Sequence, residues 1–383
     1  MLKTFVFRIY PNKEQVQLLD STIETCRRWY NECLAERKTA YETEKKSVSK
    51  FDQLAKVKDY KKSNPYAATL HSHILQVATS DLDKSFQAFF RRVKHGETPG
   101  YPRFKGKDRF DSIGLKEYGN GFKIIDNRLR ISAIGNIKVR WHRSIEGEIK
   151  TVRIKRTAGK WFASFACDVE PVLLEKTGLE VGVDVGINHL LTTSEGETVE
   201  NPKWYRASQK RLRVLQRSIA RKKKGGANRR KAVRLLQSHH LHTANQRADF
   251  IKKTVYELVV RYDVIAIEDL NVSGMSKNHC LSKSVLDAGW GYFRSHLSFK
   301  AEEAGKIVVA VDPAYTSKTC SGCGQRIENL TLGVRWINCD CGNSMDRDHN
   351  AAINIKSRAG YVRLGSTWSV GSCVPEEAPM PLG

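Results

Sequence analysis

Residues 2–10 alternate in polarity: Phe5, Phe7 and Ile9 face one way, Thr4, Val6 and Arg8 the other, and Pro11 closes the run. A period of two predicts a short strand with one buried face. From Lys13 the period changes. Leu19, Ile23, Cys26, Tyr30 and Cys33 recur at spacings of four and three, which gathers them on one face of a helix. A charged stretch follows to about residue 63. Asn64-Pro65 then opens a second helical pattern through Leu70, Ile74, Val77, Phe86, Phe89 and Phe90, ending near His95-Gly96. Residues 12–95 therefore read as a helical module. A Gly/Pro loop with interleaved basic and aromatic residues comes next (ETPGYPRFKGKDRF, 97–110). Residues 111–170 read as all β. Their short runs, such as Phe122–Ile125, Arg128–Ile131, Val152–Lys155 and Trp161–Val169, are divided by Asp126-Asn127 and Ala158-Gly159 turns. The first strand and this block predict one β-barrel with the helices inserted between them.

After Leu179 the pattern becomes that of an α/β domain. EVGVDVGINHLLTTSEGETVE reads as a strand, a tight turn and a second strand. Two long helical patterns, about 203–222 and 228–260, meet at Lys222-Lys223-Lys224-Gly225-Gly226. VIAIEDL (264–270) is a buried strand ending in acids. Residues 290–304 are helical, KIVVAVD (306–312) is another strand, and a helix runs from about Asn350 to Ala359. Strands alternating with helices indicate an α/β layer structure. Residues 366–383 (STWSVGSCVPEEAPMPLG) have no periodicity and are expected to be a disordered tail. The whole is a multidomain α/β protein.

Charge narrows the function. Sixty-five Lys and Arg against 41 Asp and Glu give +24 over 383 residues. An enzyme for small neutral substrates has no need of that excess, whereas a polyanionic partner such as nucleic acid does. Residues 201–260 alone hold 17 Lys and Arg against Asp249 and Glu257. No apolar run approaches the roughly 18–20 residues of a membrane span, and the N-terminal stretch is broken by Lys3 and Arg8 with no small-residue cleavage site. The expectation is a soluble cytoplasmic protein associated with the nucleoid and not with membranes.

Three carboxylates stand out by position. Asp184 interrupts the apolar VGVDVG, Glu268 ends VIAIE, and Asp348 precedes the helix start NAAINI. A carboxylate in an apolar strand is costly unless it is paired or holds a cation. Taken singly, Asp184 also fits a turn, Glu268-Asp269 a strand end at the surface, and Asp346 with Asp348 a helix entry. Together they suit hard divalent ions such as Mg²⁺. Two such ions about 4 Å apart activate water and stabilise a leaving 3′ oxygen in phosphodiester cleavage. Asp346 and Asp269 are neighbours that compete for a role.

Of nine cysteines, Cys320, Cys323, Cys339 and Cys341 fall in one stretch, with 15 residues between the two pairs. That spacing is a zinc signature, and four thiolates imply a closed structural site. Glycines after Cys323 and Cys341 suit tight knuckles. The second pair is C-x-C, one residue shorter than usual, which makes Cys339 or Cys341 the weaker ligand.

Several ordered motifs carry a resemblance along nearly the whole chain. They are FVFRIYPNKEQ, RRWYN (27–31), GYPRFKGK (100–107), GVDVGIN (182–188), NPKWYR (201–206), NQRADFIKK (245–253), IEDLNVSGM (267–275), DAGWG (287–291), TSKTCSGCG (316–324) and MDRDHNAAINI (345–355). The sequence resembles the TnpB family, RNA-guided endonucleases of insertion sequences related to type V CRISPR effectors. The resemblance implies a RuvC-like nuclease domain of RNase H fold over 176–312 and 345–365, with a zinc-binding, target-nucleic-acid-binding domain inserted at 313–344. It implies a wedge β-barrel over 1–11 and 96–175 and a helical recognition domain over 12–95. The family's catalytic acids fall on Asp184, Glu268 and Asp348, with two Mg²⁺, and its structural Zn²⁺ on the four clustered cysteines. Partners implied are a guide RNA from the element's end and double-stranded target DNA beside a short motif. The oligomeric expectation is a monomer with its RNA, a dimer being the other arrangement.

Candidate nucleic-acid contacts are Tyr101, Phe104, Lys105 and Lys107 of the Gly/Pro loop, and Lys203, Tyr205, Arg206, Arg211, Lys222, Lys223 and Arg247 of the basic helices. Two other functions compete. A cleavage-deficient RNA-guided repressor would have lost one of the three acids, and all three are present. A strand-joining transposase would carry a Tyr-His-His motif. None is evident, and His239, His240 and His242 read as a polar helix face.

Overall fold

β1 (Leu2–Tyr10) buries Phe5, Phe7 and Ile9, as its alternation requires. In this computed structural model, which describes residues 1–327, 330 and 333–365, the chain divides into two units, Met1–Glu170 and Pro171–Gly383. The expected tail at 366–383 lies outside the described residues.

In the first unit α1 (Lys13–Glu44) starts at a capping box in which the Asn12 side chain accepts from the Gln15 N–H (2.8 Å) and Gln15 accepts in return (3.0 Å). The charged stretch that follows is also helical: α2 (Lys50–Ala55), α3 (Val57–Ser63) and α4 (Pro65–Ala68) lead to α5 (Ser72–Lys94). No apolar period announces α2 because its buried residue is Gln53. That amide donates to the Cys33 carbonyl (2.8 Å) and accepts from buried Arg37 (2.9 Å).

β2 (Ser112–Leu115), β3 (Glu117–Tyr118), β4 (Gly121–Ile125), β5 (Arg128–Ile131), β6 (Gly135–Arg140), β7 (Glu148–Thr157) and β8 (Lys160–Asp168) join β1 in one sheet of order β2-β7-β8-β1-β6-β5-β4-β3. The two end strands of that order are separated in the chain only by Lys116, so the sheet curls back on itself. β1 lies between β6 and β8, antiparallel to both. The hairpin turns are those read from the sequence: Asp126 and Asn127 both have positive φ (48° and 56°), as do Ala158 and Gly159 (50° and 74°).

In the second unit β9 (Glu180–Val185), β10 (His189–Thr193), β11 (Thr198–Glu200), β12 (Val264–Glu268) and β13 (Ile307–Val311) form a sheet of order β11-β10-β9-β12-β13. β12 runs parallel to β9 and β13, while β10 is antiparallel to β9 and β11. The segment expected to hold two strands holds three. β11 has only three residues, too few for alternation to reveal it. The long helices α6 (Trp204–Ala220) and α7 (Ala227–Arg261) precede β12. After it come α8 (Val272–Met275), α9 (Ser282–Ala288) and α10 (Trp290–Ala304), then the hairpin β14 (Trp336–Asn338) and β15 (Ser344–Asp346), and finally α11 (Arg347–Gly365).

Alternation divides the two faces of this sheet. Val181, Val183, Ile265 and Ile267 pack with Ile251, Val255 and Leu258 of α7 and Phe293 and Leu297 of α10. Val264, Ala266, Val309 and Val311 pack with Ile355 and Ala359 of α11. By the period of two, Gly182, Asp184 and Glu268 share the α11 side. No helix among the described residues is long and apolar enough to cross a membrane.

Candidate active site

Asp184 and Glu268 stand on adjacent parallel strands. Val183 pairs with Ile267, so the two acids follow one another's level at the carboxyl ends of β9 and β12, where strands lie about 4.8 Å apart. α11 brings the third acid. A Cβ on Gly182 would lie 2.1 Å from the Ala352 carbonyl oxygen and 2.6 Å from the Lys356 nitrogen. Only glycine lets the helix backbone approach β9 this closely. Asp184 is two residues beyond Gly182, about 6.6 Å along the strand. Asp348 is one turn before Ala352, about 6 Å along the helix. The carboxyl of Asp184 consequently feels Asp348 as well as Glu268: burial first, then the charges of Glu268 and Asp348, push it well above the usual carboxylate range. Burial also raises Glu268, opposed by a hydrogen bond from the Thr316 hydroxyl and by the charge of Arg358.

The two competing acids are engaged elsewhere. Asp346 Oδ1 accepts the backbone N–H groups of Asp348 (2.8 Å) and His349 (3.2 Å) at the start of α11, which also explains why this helix begins earlier than expected. Asp269 pairs with Arg294. Sequence reasoning missed three participants. Gly182 sets the helix distance. Thr316 holds Glu268. Arg335, just ahead of β14, places Nη1 3.6 Å from Asp348 Oδ1. GVDVGIN offered a signal for the glycine; Thr316 and Arg335 lie in loops without period.

Asp184 and Glu268 thus gain affinity for protons where burial leaves their charge poorly compensated, and carboxylate oxygens are the hard donors that suit Mg²⁺.

The cysteines meet. All four sulfur atoms lie within 4.8 Å of one another, with Cys320–Cys341 at 3.7 Å and Cys323–Cys339 at 3.6 Å. Thiolates about 2.3 Å from a tetrahedral Zn²⁺ are about 3.8 Å apart, so the donors fit that ion. The C-x-C bite is no obstacle to bringing both sulfurs in. Gly324 (φ 77°) and Gly342 (φ 89°) make the knuckles. There the Gly324 N–H donates to the Cys320 carbonyl and the Gly342 N–H to the Cys339 carbonyl, both at 2.9 Å. Burial raises the Cys320 thiol, but the Asn343 amide and the N–H groups of Cys323 and Gly322 outweigh it and hold it down to about 6.

The expected nucleic-acid contacts are distributed over both units. Tyr101 is exposed, edge-on to Phe86 (5.6 Å) and Phe89 (5.4 Å). Phe104 and Lys107 are also exposed. Lys105 is strapped to α1: its N–H donates to Asn31 Oδ1, its carbonyl accepts from Arg27 and Asn31, and its ammonium lies 5.7 Å over Tyr30. Lys203 is half-buried with φ 50°, just before α6. The N–H groups of Tyr205 and Arg206 donate to the buried carboxylate of Asp287. Arg206, Arg211 and Lys223 are exposed, and Lys222 folds back onto Ser218 (2.8 Å). Arg247 departs from expectation: its guanidinium turns inward to Asp287 (3.1 Å), the carboxylate that also caps α6, and is not presented to solvent as a phosphate contact.

Comparison with known proteins decides the family. The IS605 OrfB model, described as a probable transposase, matches residues 164–279, and a Cas12f1-like TNB domain matches 290–355. A helix-turn-helix domain matches 1–46, although here those residues form β1 and the single long α1. A putative RNA-guided DNA endonuclease of Streptomyces pristinaespiralis is 36% identical over 92% of this chain and 88% of its own. The chain belongs to the TnpB family. A second relative bears the name putative RNA-guided DNA endonuclease InsQ, from Escherichia coli K12, and is 29% identical over 95% of this TnpB-family chain and 93% of its own. The fold is that of the protein in a Cas12f1–sgRNA–target DNA complex, with a TM-score of 0.59 at 13% identity over 93% of this chain and 98% of that one.

Proposed function

We propose that this TnpB-family protein is an RNA-guided DNA endonuclease of an IS605-type element, and that Asp184, Glu268 and Asp348 are its catalytic carboxylates. The observation that carries the reading is geometric: Asp184 and Glu268 end neighbouring strands on the sheet side that α11, with Asp348 in its first turn, packs against through Gly182, so that the buried Asp184 carboxyl feels both other charges. Support for the guide comes from the relatives' names and from the positive charge of the chain. The guide would derive from the element's end. Base pairing would then read the target sequence while the protein reads a short adjacent motif and backbone shape.

Two Mg²⁺ bound at the acids would supply an activated water and neutralise charge on the scissile phosphate and its leaving oxygen. The chain's own part is placement. Asp184, which feels the charges of both other acids, would hold both ions. Glu268, fixed by the Thr316 hydroxyl, would hold one side and Asp348, fixed by the helix start, the other. The four cysteines would hold one Zn²⁺ that shapes the β14–β15 hairpin. In this assignment residues 1–11 and 96–175 are the wedge, 12–95 the recognition helices, 176–312 and 345–365 the nuclease domain and 313–344 the zinc domain.

The test is purification with co-bound RNA, sequencing of that RNA, and cleavage of a matched DNA duplex with Mg²⁺. The parent cuts and Asp184→Ala does not. An Asp184→Ala variant that cuts at the parental rate sinks the assignment.

A further inference from the structure

Ile355 and Ala359 of α11 pack on the sheet. The stripe beside them holds Asn350, Asn354 and Arg358, whose spacing of four keeps them on one helix face. All three reach the chain that leaves β13 and becomes the first cysteine knuckle, and they meet it in reverse order. Arg358 Nη1 donates to the carbonyls of Asp312 and Ala314, both at 2.7 Å. The Asn354 amide donates to the carbonyls of Thr316 (2.8 Å) and Thr319 (2.6 Å). The Asn350 amide donates to the same Thr319 carbonyl (2.7 Å), and its oxygen accepts the Ser321 N–H (2.8 Å).

The Thr319 carbonyl and the Ser321 N–H belong to the two peptide groups that flank Cys320. The helix therefore clamps the backbone of that cysteine on both sides. Thr316, whose carbonyl Asn354 holds, donates its hydroxyl to Glu268. A single amide, that of Asn354, thus grips both the turn that fixes an acid and the turn that carries a thiol. Asn350 and Asn354 are buried. Asparagine is a weak helix former, and a buried amide adds little stability even when it is bonded. An apolar residue would serve plain packing at these positions better.

We propose that Asn354 is a positioning residue that couples the cysteine cluster to the acid site. The inference rests on the two metal assignments above. A metal-bound Cys320 fixes the first knuckle, Asn354 passes that constraint to Thr316, and Thr316 holds Glu268 in place. Coupling of this kind is reciprocal. Whatever fixes Glu268 also fixes Cys320 and slows the departure of zinc from the thiolates.

The test uses the full-length protein with its co-purified RNA and, at first, no target DNA. A colorimetric chelator takes zinc from the cysteines, with and without Mg²⁺. We expect Mg²⁺ to slow zinc release from the parent about fivefold. Asn354→Ala should hold one zinc per chain as purified, but release it at a rate that Mg²⁺ does not change. With matched target DNA added, the Mg²⁺ concentration for half-maximal cutting should rise about tenfold in the variant, and the rate at saturating Mg²⁺ should change less. A merely structural role would lower the melting temperature and leave the Mg²⁺ dependence where it was. Thr316→Val keeps the volume and removes the hydroxyl, so it breaks the same line at its other end. It should uncouple the two sites in the same way, which keeps the question decidable if Asn354→Ala folds poorly. Ser357→Ala, at an exposed position of the same helix, should behave as the parent. Zinc release from the parent that ignores Mg²⁺, or variants that keep the parental Mg²⁺ effect, overturns the proposal and leaves the endonuclease reading intact. A parent that couples the two metals but never cuts matched DNA supports the coupling and removes only the nuclease reading. A parent that holds no zinc overturns the coupling together with the four-thiolate site.

Discussion

Gly182→Ala is the sharpest probe of the acid site because it adds a single methyl group and touches no carboxylate. The new Cβ would meet the Ala352 carbonyl oxygen at 2.1 Å, the Lys356 nitrogen at 2.6 Å and the Lys356 Cβ at 2.9 Å. None of these is the mobile end of a side chain. Restoring ordinary contact needs α11 to retreat from β9 by about 1.3 Å, or the strand to bend by as much. Overpacking of this kind costs about 1–3 kcal/mol, read as a melting temperature lower by several degrees. The helix carries Asp348 with it. A misplacement near 1 Å at a reacting centre costs about 100-fold in rate, so single-turnover cleavage should slow by that order, and the Mg²⁺ concentration needed for half-maximal cutting should rise. Binding of the guide RNA should hold. The assay is cleavage with saturating guide and target, beside calorimetric melting. A variant that melts lower yet cuts within twofold of the parent would refute the claim that this glycine sets the distance between Asp184 and Asp348.

Asp184→Asn should melt above the parent in chelator, since it removes a charge that burial and two like charges oppose. Added Mg²⁺ should raise the parent's melting temperature and not the variant's, and equal shifts in both would count against the metal assignment. Cys341→Ser should lose the one zinc per chain that a colorimetric chelator releases from the parent. Its cleavage should drop even in excess Mg²⁺, because β15 passes directly into α11 at Asp346–Arg347; full zinc content in the variant would contradict the four-thiolate site. Asp263 accepts from the Lys306 ammonium (2.6 Å) and from the N–H groups of Thr177 and Gly178, with Lys306 first in holding its carboxyl far below the ordinary range. A lowered carboxylate stabilises the fold above its unfolded value, about pH 4, and that contribution is lost as pH falls toward the folded value. Asp263→Asn should therefore melt below the parent at pH 7, with the gap closing under about pH 4; a gap that stays constant down to pH 3 would be the wrong result.

The positions of Asp184 and Glu268 were legible because a charge inside or ending an apolar strand is conspicuous, and the structure sets both at the ends of adjacent parallel strands. The choice between Asp346 and Asp348 was not a matter of spacing. It depends on which carboxylate turns back to cap α11, and on Gly182 meeting Ala352 across 170 residues of chain. The same limit explains Arg247. It belongs to a basic helix by sequence, and only the buried Asp287 on another helix shows why it turns inward. The strands of the eight-stranded sheet were readable because alternation and two hairpin turns are local signals. The helical character of residues 50–63 was not, because polar residues, Gln53 and Arg37, fill their interior.

The place of β1 in its sheet carries a consequence for biosynthesis. This strand is synthesised before both of its neighbours, which are more than 120 residues downstream. Until Arg140 has emerged both of its edges are free, and until Asp168 has emerged one of them still is, while the intervening helices have local contacts enough to form alone. Translation pauses or truncations before that point should yield aggregates seeded at β1, and slow decoding of residues 140–168 would be the part of the message most harmful to yield.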